Sequence, residues 1–230
     1  MRIGFIGLGN VGGKLASSLL RNGFELMVND LQPSAAGSLL EGGAQWGENG
    51  AEGARYSDVV ITCLPSPQAS AEALEGEGGV LTGLSAGKIW LEMSSSDHQE
   101  VLRLGERVNA LGAHALDSPV SGGCHRAATG NIAIFTGGAR AAFERALPVL
   151  TTIGREVLYT GPLGSASILK VATNYLAGVH LIATGEALMV AKKTGIDLGV
   201  AYEAIRMPSG HSFTHKTEGQ LILNGSYAVD

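Results

Sequence analysis

The chain is poor in aromatic residues, which make up 5% of its 230 positions, and it has two cysteines, Cys63 and Cys124. Two cysteines in a chain of this length build no disulfide framework, which fits a reducing, cytoplasmic setting. Cations are also scarce. Sixteen Lys and Arg stand against 21 Asp and Glu, for a net charge of −5, with no long basic run. Nucleic acid is therefore not expected as a partner. The opening MRIGFIGLG carries one basic residue and passes straight into apolar sequence, so it does not read as a signal peptide. No apolar run is expected to span a membrane, since even residues 171–190 are broken by Asn174, His180 and Glu186. His98, His180, His211 and His215 show no metal spacing with Cys or acids, and no metal is expected.

Glycine is what the chain has in quantity, at 34 residues, and the most informative cluster is at the start. Ile3 to Ile6 reads as a short buried strand. It runs into Gly7-Leu8-Gly9-Asn10-Val11-Gly12, and an apolar-faced helix with Val11, Leu15, Leu19 and Leu20 on its inner side follows. A G-x-G-x-x-G between strand and helix is the context a dinucleotide site needs. The first glycine permits the turn, the second lets a pyrophosphate approach the backbone, and the third lets helix and strand pack closely. The free N–H groups at the helix start then face the phosphates. The alternative is a glycine-rich turn with no ligand. Glu25 to Asp30 reads as a second strand ending in an acid, and Asp30 stands eighteen positions after Gly12. That is about where a carboxylate meets the adenosine ribose 2′-OH; otherwise Asp30 is a solvated turn acid or a helix cap. Leu31 follows, and no arginine stands there for a 2′-phosphate. NAD is expected rather than NADP.

Strands and helices alternate from there: a strand over 58–64 stopped by Pro65-Ser66-Pro67, another over 88–93, helix caps at Ser94 to Asp97, and strands near 114–117, 131–136 and 156–159. This alternation argues an α/β fold, a doubly wound parallel sheet of the Rossmann type. The pattern changes at Gly161-Pro162-Leu163-Gly164. One long helix over 165–194, apolar on several faces, opens an all-helical part, as a helix buried between two bodies would. A second helix spans about 198–206 and a loop follows over 207–213. The expected domains are 1–162, binding the dinucleotide, and 163–230, helical and serving substrate and oligomer contacts.

Lys170 and Asn174 are four apart on the long helix and share a face. Both are polar in apolar company. A lysine there is either snorkelling to solvent near the helix start or held for a purpose, because desolvating an ammonium is costly. Ser121-Gly122-Gly123 is either a plain turn or an N–H concavity able to hold a carboxylate. His125 beside it is either a general base or a solvated loop histidine.

Taken in order, these motifs resemble the β-hydroxyacid dehydrogenase family, the group that contains 3-hydroxyisobutyrate dehydrogenase and tartronate semialdehyde reductase. The family's D-x-P-V-S-G-G matches Asp117 to Gly123, and its G-x-x-G-x-G-x-x-x-K-x-x-x-N matches Gly161, Gly164, Lys170 and Asn174, with Ala166 in place of the third glycine. The resemblance implies that Lys170 is the catalytic acid/base and Asn174 a substrate partner. It implies that Ser121, Gly122 and Gly123 hold the substrate carboxylate, and that Leu64, Pro65 and Ser95 touch the cofactor beside Gly7, Leu8, Gly9, Asn10, Val11, Gly12 and Asp30. The substrate is then a small 3-hydroxy acid such as 3-hydroxyisobutyrate, glycerate (tartronate semialdehyde when oxidised) or a threonate-like acid. The chain is expected to form a homodimer or homotetramer. Family members run further at the C-terminus, so the helical part is expected to be incomplete. Imine reductases and non-catalytic dinucleotide-binding scaffolds are the other readings; both tend to lack the lysine.

Overall fold

The computed structural model describes residues 1–226; residues 227–230 of the expected helical domain, and the side chain of Cys124, lie outside the described set. The elements run β1 (Arg2–Ile6), α1 (Gly12–Arg21), β2 (Glu25–Asn29), a 3-10 turn Pro33–Ala36, α2 (Gly37–Glu41), β3 (Gln45–Trp46), α3 (Gly50–Tyr56) and β4 (Val59–Thr62). Then come α4 (Pro67–Glu75), α5 (Val80–Gly83), β5 (Ile89–Glu92), α6 (His98–Ala110), β6 (His114–Asp117), β7 (Val120–Ser121), α7 (Gly123–Ala128), β8 (Ile132–Gly138), α8 (Arg140–Ile153) and β9 (Gly154–Gly161). The helices α9 (Ser165–Lys193), α10 (Leu198–Arg206) and α11 (Phe213–Leu223) follow. The chain divides into two compact units, Met1–Lys170 and Val171–Asp230.

In the first unit the strands form one sheet in the order β3-β2-β1-β4-β5-β6-β8-β7, with β9 on β8. The pairs from β3 to β6 are all parallel, and so is β8–β9. The wholly parallel sheet expected from the alternation is mixed at one place. β8 runs antiparallel to both β6 and β7. The link from Ser121 back to Ala133, its partner on β8, holds only the six-residue α7 and its turns. It doubles back where a parallel neighbour needs a full crossover. Apolar layers lie on both faces of the sheet. Phe5, Leu15, Leu19, Ile61, Leu91, Phe143 and Leu150 belong to one, and Val60, Trp90, Leu104 and Val108 to the other. Strands covered on both sides read as continuous apolar runs, as VVIT of β4 does.

The second unit has its own small cluster of Leu188, Ala191, Ala201 and Tyr202, with Leu198, Ile205 and Leu223 against it. Asp197 caps α10 by accepting the Val200 N–H, and Ser212 caps α11 by accepting that of His215. No sequence pattern announces α11; its weak amphipathicity hides it, and Ser212 is the one start signal. Residues of α9 beyond Lys170, among them Val171, Tyr175, Leu176, Ile182, Met189 and Val190, are exposed on the single chain. One expectation is corrected here. By length and composition α9 is apolar enough to cross a bilayer, because an uninterrupted helix tolerates Asn174, His180 and Glu186 within its span. Its first turn is bound to the sheet through Asp117, as described next.

Candidate active site

The Gly-rich turn leaves β1 at Ile6 and enters α1 at Gly12. Each glycine has a separate reason. Gly7 sits at φ +93°, and a side chain there would strike the Cys63 carbonyl. At Gly12 a Cβ would fall on the Gly7 carbonyl oxygen. At Gly9 a Cβ would meet nothing within 4 Å. Neither a clash nor a positive φ requires glycine at position 9, and the space it faces is a cavity of about 1020 Å³. Gly7, Gly9, Asn10, Val11 and Gly12 line this cavity from the turn, Asp30 and Leu31 from the end of β2, and Leu64, Pro65 and Ser95 from beyond β4 and β5. Of the expected cofactor positions only Leu8 is absent from the wall; it is buried in the core, and only its peptide faces Asp30.

Asp30 is fixed. Its Oδ2 accepts the Leu8 N–H at 2.6 Å and its Oδ1 that of Gln32 at 2.9 Å. Across the cavity, Ser94 Oγ accepts the Leu64 N–H at 2.8 Å, and Glu92 Oε1 accepts the Ser94 N–H at 2.8 Å. Ser94, expected from the sequence as a helix cap, instead braces Leu64, while Asp97 caps α6; Glu92 is not singled out by the sequence. Glu92 ends a buried strand in acid, which was the available clue. A cradle of bare glycine backbone, a helix N-terminus and a fixed acid at the second strand's end suit a dinucleotide.

Lys170 lies in the second turn of α9 with 8% of its surface exposed. Burial holds its ammonium pKa below the ordinary lysine value. Asn174, one helical turn further along α9, is exposed. Ser121 ends β7; Gly122 and Gly123, at φ +133° and +75°, lead into α7 in a conformation that glycine alone adopts readily. His125 is exposed on α7. Ala166 is fully buried and absent from the cavity wall. Among the described residues no group of three His, Cys, Asp or Glu is placed to hold a metal.

Asp117, which the sequence offered only as part of a motif, is fully buried. Its Oδ1 accepts the Gly164 N–H at 2.9 Å, and its Oδ2 accepts the Ser167 N–H at 2.9 Å and the Ser167 hydroxyl at 3.1 Å. One carboxylate thus caps the start of α9, where the helix presents its unpaired donors and the positive end of its dipole.

The family model for the NAD binding domain of 6-phosphogluconate dehydrogenase matches residues 2–161, and that for the NAD-binding part of NADP-dependent 3-hydroxyisobutyrate dehydrogenase matches 164–230. The chain is 32% identical over 229 residues to 2-(hydroxymethyl)glutarate dehydrogenase of Eubacterium barkeri, covering 99% of this chain and 76% of that protein. It is 33% identical over 215 residues to mitochondrial 3-hydroxyisobutyrate dehydrogenase of Rattus norvegicus, covering 94% of this chain. The matched part spans 64% of that relative's length, less than two thirds. Among solved structures it is similar to 3-hydroxyisobutyrate dehydrogenase of Mycobacterium tuberculosis with L-serine. The TM-score is 0.88 at 27% identity, over 94% of this chain and 74% of that one.

Proposed function

The chain belongs to the β-hydroxyacid dehydrogenase family of nicotinamide-dependent oxidoreductases, and from that premise we propose that it transfers a hydride between NAD(H) and a small 3-hydroxy acid, with Lys170 as the acid/base. The observation that carries this is Lys170 itself: a buried lysine with a lowered pKa, in the second turn of the helix that Asp117 anchors. When bound, the nicotinamide supplies the hydride chemistry.

The chain's own residues do the rest. Gly9 leaves room for the pyrophosphate, the N-terminus of α1 faces it, and Asp30 meets the ribose hydroxyls. In reduction, Lys170 donates a hydrogen bond to the carbonyl oxygen and then a proton to the alkoxide that forms there; in oxidation it takes that proton back. Ser121 and the peptide N–H groups of Gly122 and Gly123 hold the substrate carboxylate, which fixes the reacting carbon. Asn174 shares the helix face of Lys170 by its four-residue spacing and is the substrate partner the family pattern implies. Asp30 supports NAD over NADP, because its fixed negative charge and the exposed Leu31 beside it offer a 2′-phosphate no cation. The exposed apolar residues of α9 support a homo-oligomer.

The test is absorbance at the NADH band. The chain is given NAD or NADP with 3-hydroxyisobutyrate, glycerate, L-serine and 2-(hydroxymethyl)glutarate, and Lys170→Ala is the control. Reduction of NAD by one acid, lost in the variant, is the expected result. Turnover that survives in Lys170→Ala would overturn the assignment. Cofactor binding with no turnover on any acid would move the reading to an imine reductase or a scaffold.

A further inference from the structure

The backbone of Gly164 is held from both sides. Its N–H goes to Asp117 Oδ1 at 2.9 Å, and its carbonyl oxygen lies 3.0 Å from Nδ1 of His98, the first residue of α6. A carbonyl only accepts, so His98 Nδ1 carries the proton and donates. The His98 ring stands so close that a Cβ at position 164 would meet Nδ1 at 2.6 Å, and Gly164 is at φ +86°. The same carbonyl accepts the Ile168 N–H, so it belongs to the first turn of α9. Asp117 grips that turn again at the Ser167 N–H, three residues before Lys170.

We propose that Asp117 and His98 form a clamp on Gly164 that positions Lys170. This rests on the reading of Lys170 as the acid/base. The argument is geometric. A helix advances 1.5 Å and turns 100° per residue. Fixing two donors of its first turn on one carboxylate, and the carbonyl between them on a ring, sets both its axial position and its rotation. The amine of Lys170 is carried by that setting. Neither His98 nor Asp117 is assigned contact with substrate or cofactor. They act through Lys170, as positioning residues.

The experiment reads Lys170 directly. The lysines are ¹³C-methylated, and the Lys170 resonance is identified by its loss in Lys170→Ala. Its titration is then followed by NMR in the parent chain, His98→Ala, His98→Asn and Asp117→Asn. Turnover and NAD affinity are measured alongside. His98→Ala removes the donor, whereas His98→Asn places an amide N–H near the position of Nδ1. In His98→Ala, Lys170 is expected to titrate closer to an ordinary lysine, with turnover down on the order of tenfold and NAD affinity unchanged; His98→Asn is expected to restore both. Should Asp117→Asn fail to fold, the His98 pair decides alone. An unmoved Lys170 titration in His98→Ala overturns the clamp, whatever turnover does. A moved titration with normal turnover upholds the clamp and overturns Lys170 as the acid/base. A change that His98→Asn fails to reverse also overturns the proposal, because the lost donor is then not the cause.

Discussion

The carboxylate of Asp30 holds the peptide N–H of Leu8, with 2.6 Å between Oδ2 and that nitrogen. The bond ties the end of β2 to the glycine turn after β1, 22 residues earlier in the chain. The acid proposed to meet the ribose is therefore also a brace for the turn proposed to meet the pyrophosphate. A carboxylate has acceptor sites for both duties.

The proposed preference for NAD rests on that acid and its neighbour. The pair Asp30→Asn with Leu31→Arg keeps an acceptor for Leu8 and adds a guanidinium at a fully exposed position. Arginine suits a phosphate through paired N–H donors. NADP affinity is expected to rise on the order of tenfold or more and NAD affinity to fall, as read by titrating intrinsic fluorescence with each dinucleotide. An unchanged NADP:NAD ratio would count against this end of the cavity as the adenosine site.

The glycines of the turn separate fold from ligand. Gly12→Ala places a methyl on the Gly7 carbonyl oxygen and must push helix from strand. Overpacking of this sort costs about 1–3 kcal/mol, visible as a lower melting temperature. Gly9→Ala meets nothing within 4 Å. Its melting temperature is expected to stay within about 2 °C of the parent, while NAD affinity falls sharply. If Gly9→Ala bound NAD normally, the open space before it would not be the pyrophosphate site.

The features that were legible in the sequence are those written within a few residues of one another. The glycine turn, Asp30 at a strand end, and Lys170 with Asn174 on one helix face each lie inside a single supersecondary unit. Helix periodicity and turn chemistry display them. The grip of Asp117 on Gly164 and of His98 on the same residue spans 47 and 66 residues. No local pattern announces a contact that the sheet order creates. The reversal of β8 was hidden for a related reason. Strand direction depends on whether α7 and its turns are long enough to cross over, and strand propensity carries no direction.

Glu92 gives a stability test. It is fully buried at the end of β5; Oε1 accepts the Ser94 N–H, and Oε2 is without a partner among the described residues. Burial pushes its carboxyl pKa above the ordinary range. Between the unfolded value of about 4.3 and the higher folded value, the folded state holds the extra proton. The stability contributed by Glu92 is therefore complete below about pH 4 and is lost as pH rises through the folded pKa. Glu92→Gln removes that titration. Urea unfolding of parent and variant is expected to show the variant gaining relative to the parent as pH rises from about 5 to 8. A constant difference across that range would place the ionised carboxylate in the fold at neutral pH.

Lys170 gives the matching test on activity. Burial lowers its pKa from the ordinary lysine value of about 10.4. In oxidation the amine must start neutral to take the hydroxyl proton, so kcat/KM rises with pH through the folded pKa of Lys170. In reduction it must start charged to give the proton, so kcat/KM falls through the same group. The two limbs run in opposite directions, and each midpoint lies below that of a free lysine. Stability moves with the same group. Between the lowered folded pKa and the unfolded one, the unfolded chain binds the extra proton, so the penalty for burying Lys170 is relieved as pH rises. Measuring kcat/KM in both directions against pH, and again in Lys170→Arg, checks the pairing. The arginine stays charged throughout, so the oxidation limb is expected to vanish with most of the activity. A limb that persists with the same midpoint in Lys170→Arg would assign the titration to another residue and end the case for Lys170 as the base.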